Sequence, residues 1–242
     1  MIEQEWWNDG RIINPLKEVL PKGFSLFTDY EGFIRFDRHE DNRLLSIGLG
    51  QVMKGTFSPN WIQSFITFYP IEDILEQKFK KSRDMRDGVT LKTRNHGLIF
   101  HQEQGKGIYE HLPIVLDTDD AIQRAQLLIV KFIEEYSTPF FDYWKDIRCF
   151  LPFLENEDGI RLNDFFAGYA TERKMVIWHL CNHPGSKEYI NKTINAWEEF
   201  CSDNPEDGIS IRQFKNMKRI VKELDQTPPI YEWDEKYLNL PS

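Results

Sequence analysis

The stretch from Asp117 to Tyr136 admits one reading. Ala121, Ile122, Ala125, Leu128, Ile129, Phe132, Ile133 and Tyr136 recur every three or four residues. In a helix they form one wide apolar stripe, whereas in a strand they would scatter over both faces. Asp117 is placed to cap this helix, and Asp119 and Asp120 sit at the positive end of its dipole. A stripe that wide must pack on a second apolar surface, so the remaining question is what the chain supplies on either side of it.

Upstream the pattern is of strands. Asn14-Pro15-Leu16 predicts a short helix, stopped by Pro21 and Gly23. Strand-like runs follow at Phe24 to Thr28, Phe33 to Asp37 and Leu44 to Leu49. They are separated by the turn compositions Asp29 to Gly32 and His39 to Asn42, which favours an antiparallel meander. Trp61 to Tyr69 is apolar or β-favouring on both parities and predicts a central strand covered on both faces. Pro70 stops it, and Ile71, Ile74, Leu75 and Phe79 then fall at helical spacing. Val89 to Thr93 and Gly97 to His101 predict a further hairpin.

Downstream the pattern is of helices. Ser137-Thr138-Pro139 is expected to end the long helix and start another, which carries Phe140, Trp144, Ile147, Leu151 and Leu154. A stretch from Phe165 to Leu180 is helical with a break near Gly168. Pro184-Gly185 precedes a helix capped by Ser186. In the last helix Ser210 and Gln213 spell a capping box, with Ile209 and Phe214 as its staple, and Pro228-Pro229 ends it before the aromatic tail Tyr231, Trp233 and Tyr237.

Strands first and helices second give an α+β fold: an antiparallel sheet with covering helices in the N-terminal half and a helical bundle in the C-terminal half. The expected division is a strand-rich half, 1–116, and a helical half, 117–242, with apolar Leu112 to Leu116 at the junction fit to share one core. A chain of 242 residues buries a core without staples. Cys149, Cys181 and Cys201 are odd in number, widely spaced and form no CxxC, which points to reduced thiols. The acidic Met1 to Trp7 has no signal-peptide core, and no apolar run reaches the ~20 residues of a membrane span. The expectation is a cytoplasmic protein without membrane contact.

Several packing motifs resemble those of an uncharacterised bacterial domain family over roughly residues 20–155. They are Lys22-Gly23-Phe24, the strand ending at Gly48-Leu49-Gly50-Gln51, the aromatic strand Trp61 to Tyr69, and the acid-started helix running into Tyr136 to Phe141. The resemblance implies no assigned activity. Some similar small acidic bacterial proteins are immunity partners of secreted toxins, which is an implication of class only.

Residues that carry chemistry are scattered. His179 and His183 stand at i and i+4 near a helix end, a usable metal chelate spacing. No third ligand accompanies them, and a histidine at the negative end of a helix is the plainer reading. His96, His101 and His111, with Glu103 and Glu110, lie in the second hairpin region, where opposite parity separates His96 from His101. Gln104 to Gly107 lacks the rest of a phosphate loop. No nucleophile motif is present, and no cofactor is expected.

Charge is more telling. The net charge is −9, which repels nucleic acid and attracts a basic partner. Glu198, Glu199, Asp203, Glu206 and Asp207 form one acidic cluster, and Glu155, Glu157 and Asp158 form another. Against them, Lys78 to Arg94 is a basic stretch in which Lys80, Lys81, Arg83 and Arg86 are candidates for holding an anion. The reading is a non-enzymatic protein-binding module, of the immunity type in one form, that meets a basic partner on its acidic clusters. The alternative is a hydrolytic enzyme with a His/carboxylate site in a cleft between the halves.

Overall fold

A computed structural model describes residues 13–28, 34–50, 56–59, 62–93, 112–156, 162–163 and 166–239. The chain divides into two units by contact. One is Met1–Thr67 with Leu91–Lys145, and the other is Phe68–Thr90 with Asp146–Ser242. The expected junction at Leu116 falls inside the first. The fold is α+β, with an antiparallel sheet toward the N-terminus and mostly helices toward the C-terminus. No described helix is long and apolar enough to cross a membrane.

The first unit holds a five-stranded sheet in the order β1-β2-β3-β5-β6. Its strands are β1 Ser25–Thr28, β2 Ile34–His39, β3 Arg43–Gly50, β5 Gln63–Phe68 (whose last residue belongs to the second unit) and β6 Leu91–Lys92. A two-stranded ribbon pairs β4 Thr56–Phe57 with β7 Ile114–Val115. The meander of β1, β2 and β3 is antiparallel as expected, with Leu26 opposite Phe36 and Phe36 opposite Ile47. β5 sits between β3 and β6 with Ser64, Ile66, Thr67 and Phe68 fully buried. Its polar members are satisfied: the Ser64 hydroxyl lies 2.7 Å from that of Ser137, and the Ser64 N–H donates to Thr93. On β2 the buried Arg35 donates to Asp37 two positions along the same face, and Asp37 also accepts from Ser46.

Helix α1, Ile13–Val19, precedes the sheet, and α4, Asp119–Phe132, follows α2, Tyr69–Leu75, and α3, Gln77–Ser82, in the chain. The cap of α4 is Thr118, whose hydroxyl accepts the Ala121 N–H, rather than the expected Asp117. A new helix starts at Ser137-Thr138-Pro139 as the sequence predicts, α5 Thr138–Tyr143 with Pro139 in its first turn, but it is joined to α4 by a π turn, Ile133–Ser137. Pro139 has no N–H to give the preceding turn, and the Thr138 N–H and hydroxyl both reach back to the Ile133 carbonyl. Arg43 of β3 caps the far end by donating to the Phe141 and Trp144 carbonyls.

The second unit is helical. It contains α2 Tyr69–Leu75, α3 Gln77–Ser82, α6 Leu151–Asn156, α7 Ala170–Leu180, α8 Ser186–Asp203 and α9 Gly208–Leu224, with 3-10 turns at Met85–Asp87, Ile147–Phe150 and Glu235–Asn239. Helix α7 is its core element, with Met175, Val176, Ile177 and Leu180 buried beside Arg173 and Lys174. Gly168 and Tyr169, at φ +86° and +49°, turn the chain into it, where the sequence marked a break. Two cap expectations change here. Asp207, not Ser210, caps α9 by accepting the Ile209 and Ser210 N–H groups and the Ser210 hydroxyl, so the helix starts earlier and Ile209 is left exposed. Gly185, not Ser186, occupies the cap of α8, and the buried Ser186 hydroxyl makes no hydrogen bond.

Candidate functional site

The sequence candidates that the structure describes all belong to the second unit. His96, His101, His111, Glu103, Glu110, Gln104 to Gly107, Glu157 and Asp158 lie outside the described residues.

Helix α8 spans 18 residues and buries only Ser186 and Ile190. Its neighbour α9 buries Phe214, Met217, Ile220 and Leu224. Glu198, Glu199 and Asp203 are exposed on α8, and Glu206 is exposed in the turn that follows. Glu198 lies 3.8 Å from Lys218 of α9, both well exposed, an arrangement of little energetic weight. Asp207 is committed to the α9 cap, whose Ser210 hydroxyl and N–H hold its carboxyl below the usual range. Among these acids stand two large apolar side chains, Phe200 at 47% and Ile209 at 63% exposure. Trp197, half-buried, meets Phe200 edge-on with ring centroids 6.2 Å apart. A shallow groove of about 800 Å³ runs along the same helix past Glu188, Asn191, Lys192, Asn195, Ala196 and Glu199.

The basic stretch is largely engaged with its own acids. Arg83 grips Asp73 with both terminal nitrogens and stacks on the Tyr69 ring at 4.6 Å. Arg86 is paired with Asp84 at 2.8 Å. Lys80 lies 3.7 Å from Glu223, and Lys81 is exposed on the last turn of α3. Lys80, Arg83 and Arg86 thus each meet a different acid, Glu223, Asp73 and Asp84.

The two histidines of the HxxxH pair face different partners. His179 places Nε2 2.6 Å from the Thr227 carbonyl oxygen. His183 places Nε2 2.6 Å from Glu155, while its Nδ1 accepts the Gly185 N–H at 3.0 Å. Its ring stacks on Trp178 at 4.0 Å and meets the edge of Trp233 at 4.4 Å. Burial pushes the His183 pKa below its ordinary value, against the pull of Glu155 and with the help of Lys174. Among the described residues no group of three or more His, Cys, Asp or Glu is placed to hold a metal ion.

Sequence reasoning missed three features. Glu72 and Arg173 form a fully buried pair with both guanidinium contacts at 3.0 Å, and Thr90 donates to the same carboxylate. Lys174, also buried, donates to the Leu154 carbonyl and lies over the Trp178 ring at 4.4 Å, and burial lowers its pKa. Glu76 bonds the Tyr169 phenol, and burial, then the neighbouring Glu72 charge, raises its pKa. Nothing in the sequence singles out Glu72, which stands next to Asp73 in Ile71-Glu72-Asp73-Ile74, as the member of that acidic pair that is buried.

No family model matches the chain, and comparison with curated proteins and with solved structures finds no match either.

Proposed function

We propose that the chain is a non-enzymatic protein-binding module that captures a basic partner on α8 and the α8–α9 turn. One observation carries this reading. Helix α8 packs one stripe, with Ser186 and Ile190 buried and Tyr189, Ile194 and Trp197 half-buried, and outside that stripe it exposes Phe200, with Ile209 at the start of α9, within an acidic surround. Helices in proteins draw most of their stability from a packed face, and exposed aromatic and aliphatic anchors rimmed by charge are the usual makings of an interface. Glu198, Glu199, Asp203 and Glu206 would steer a cationic surface, and Phe200 and Ile209 would dock it. An immunity-type protein neutralising a basic toxin is the form that the family resemblance supplies, and the reduced cysteines suit a cytoplasmic setting.

The test is affinity capture with the intact chain and with two variants, F200E/I209D and E198K/E199K/D203K. A partner held by the parent chain, lost by both variants and bound more weakly as salt rises supports the reading. Equal capture by all three chains overturns it. The hydrolytic alternative has one pairing in its favour, His183 with Glu155, but both ring nitrogens are already engaged.

A further inference from the structure

The HxxxH pair lies where the C-terminal segment crosses the end of α7. The Thr227 carbonyl meets His179, the Ile230 and Tyr231 N–H groups donate to the Leu180 carbonyl, and Trp233 rests its ring edge against His183. Further along, Tyr231 donates to Asp146, while Arg148 stacks on Tyr231 at 4.3 Å and donates to the Tyr237 hydroxyl. The segment is thus a strap pinned at successive points, two of them histidines, His179 in the last turn of α7 and His183 just past its end.

We propose that these histidines form a proton-sensitive clasp, in which neutral His183 holds Trp233 and protonated His183 releases it. The two members respond differently to a proton. His179 meets a carbonyl oxygen through Nε2, and an imidazolium still donates there. His183 accepts an N–H at Nδ1. A proton on that nitrogen sets two donors against each other across 3.0 Å, and the ring must turn or withdraw. It cannot turn without leaving the stack on Trp178 and the edge of Trp233.

Two charged groups face the ring. Glu155 of α6 favours the imidazolium, and Lys174 of α7 opposes it. The groups packed against it from the strap and from the start of α8 are the neutral Trp233 and the Gly185 N–H. Burial adds to Lys174, so the folded chain favours the neutral ring, which is the clasped state at pH 7.5.

The experiment uses the full chain labelled with 5-fluorotryptophan, its Trp233 line assigned from W233F, and followed by fluorine NMR from pH 8 to 5 beside the His183 ring proton signals. The Trp233 line should move toward the position of a solvent-exposed indole with the same midpoint as His183. In E155Q, which loses the carboxylate favouring the cation, that midpoint should fall to lower pH. H183F keeps an aromatic ring and takes no proton, and its Trp233 line should not titrate. A parent Trp233 line that is flat across the range overturns the clasp, as does one that moves with a midpoint unlike that of His183. The parent titration decides the matter even if H183F fails to fold.

Discussion

Glu72 and Arg173 stand 101 positions apart in sequence and meet with essentially no solvent contact, at 0% and 2% exposure. Each charge would be costly to bury alone, and the pair is held by a two-point guanidinium contact, with the Thr90 hydroxyl on the carboxylate and the Val89 and Gly168 carbonyls on the guanidinium. Arg173→Met should therefore leave an uncompensated buried carboxylate and destabilise the fold by about 3–5 kcal/mol, read from urea unfolding. The double change Glu72→Leu with Arg173→Met should recover much of that loss, since two apolar residues leave no orphaned charge. Cys181 follows the same logic on a smaller scale. Its burial pushes the thiol up to about 12, which removes it from thiolate chemistry at neutral pH.

At the scale of elements, the sequence placed the helices and strands well and their caps poorly. The strands at 25–28, 34–39 and 43–50 and the helix from Asp119 follow from alternation and from the 3.6-residue stripe, both local properties of side-chain spacing. Caps are a competition among neighbouring polar residues, and the winner depends on how the chain enters the helix. Thr118 wins over Asp117 for α4, and Asp207 over Ser210 for α9. Thr118→Ala should cost about 1 kcal/mol of stability, whereas Asp117→Ala should change it little, and thermal unfolding of the two variants separates the assignments. The π turn before Pro139 escaped prediction for a related reason. Proline marks a discontinuity, but whether the chain breaks or widens by one residue is settled by what can receive the Ile133 carbonyl.

For the whole molecule, acidity sets both solubility and encounter. A net charge of −9 draws cationic surfaces and slows like-charged ones, with an effect that weakens as salt screens it. Stability should also carry a signature of His183 toward acid. Burial sets its folded pKa below the ordinary 6.5, so the folded chain takes up that proton less readily than the unfolded chain. The stability it contributes is present above 6.5 and is lost as pH falls through that value toward the lower folded one. The melting temperature should drop between pH 7 and 5, and the drop should shrink in H183F, as followed by circular dichroism.

What the sequence by itself determined was the order and type of the elements, the α+β class, the charge and the positions of the acidic clusters. These rest on periodicity and composition, which each segment carries alone. The tertiary structure decided which of those residues remain available. It spends Asp207 on a cap, Glu155 on His183, and Arg83 and Arg86 on neighbouring aspartates, while leaving α8 with Phe200, Glu199 and Asp203 uncovered. It also turns the two histidines of one motif to different partners on one strap. Exposure and pairing depend on distant segments arriving at the same place, and no local pattern encodes that arrival.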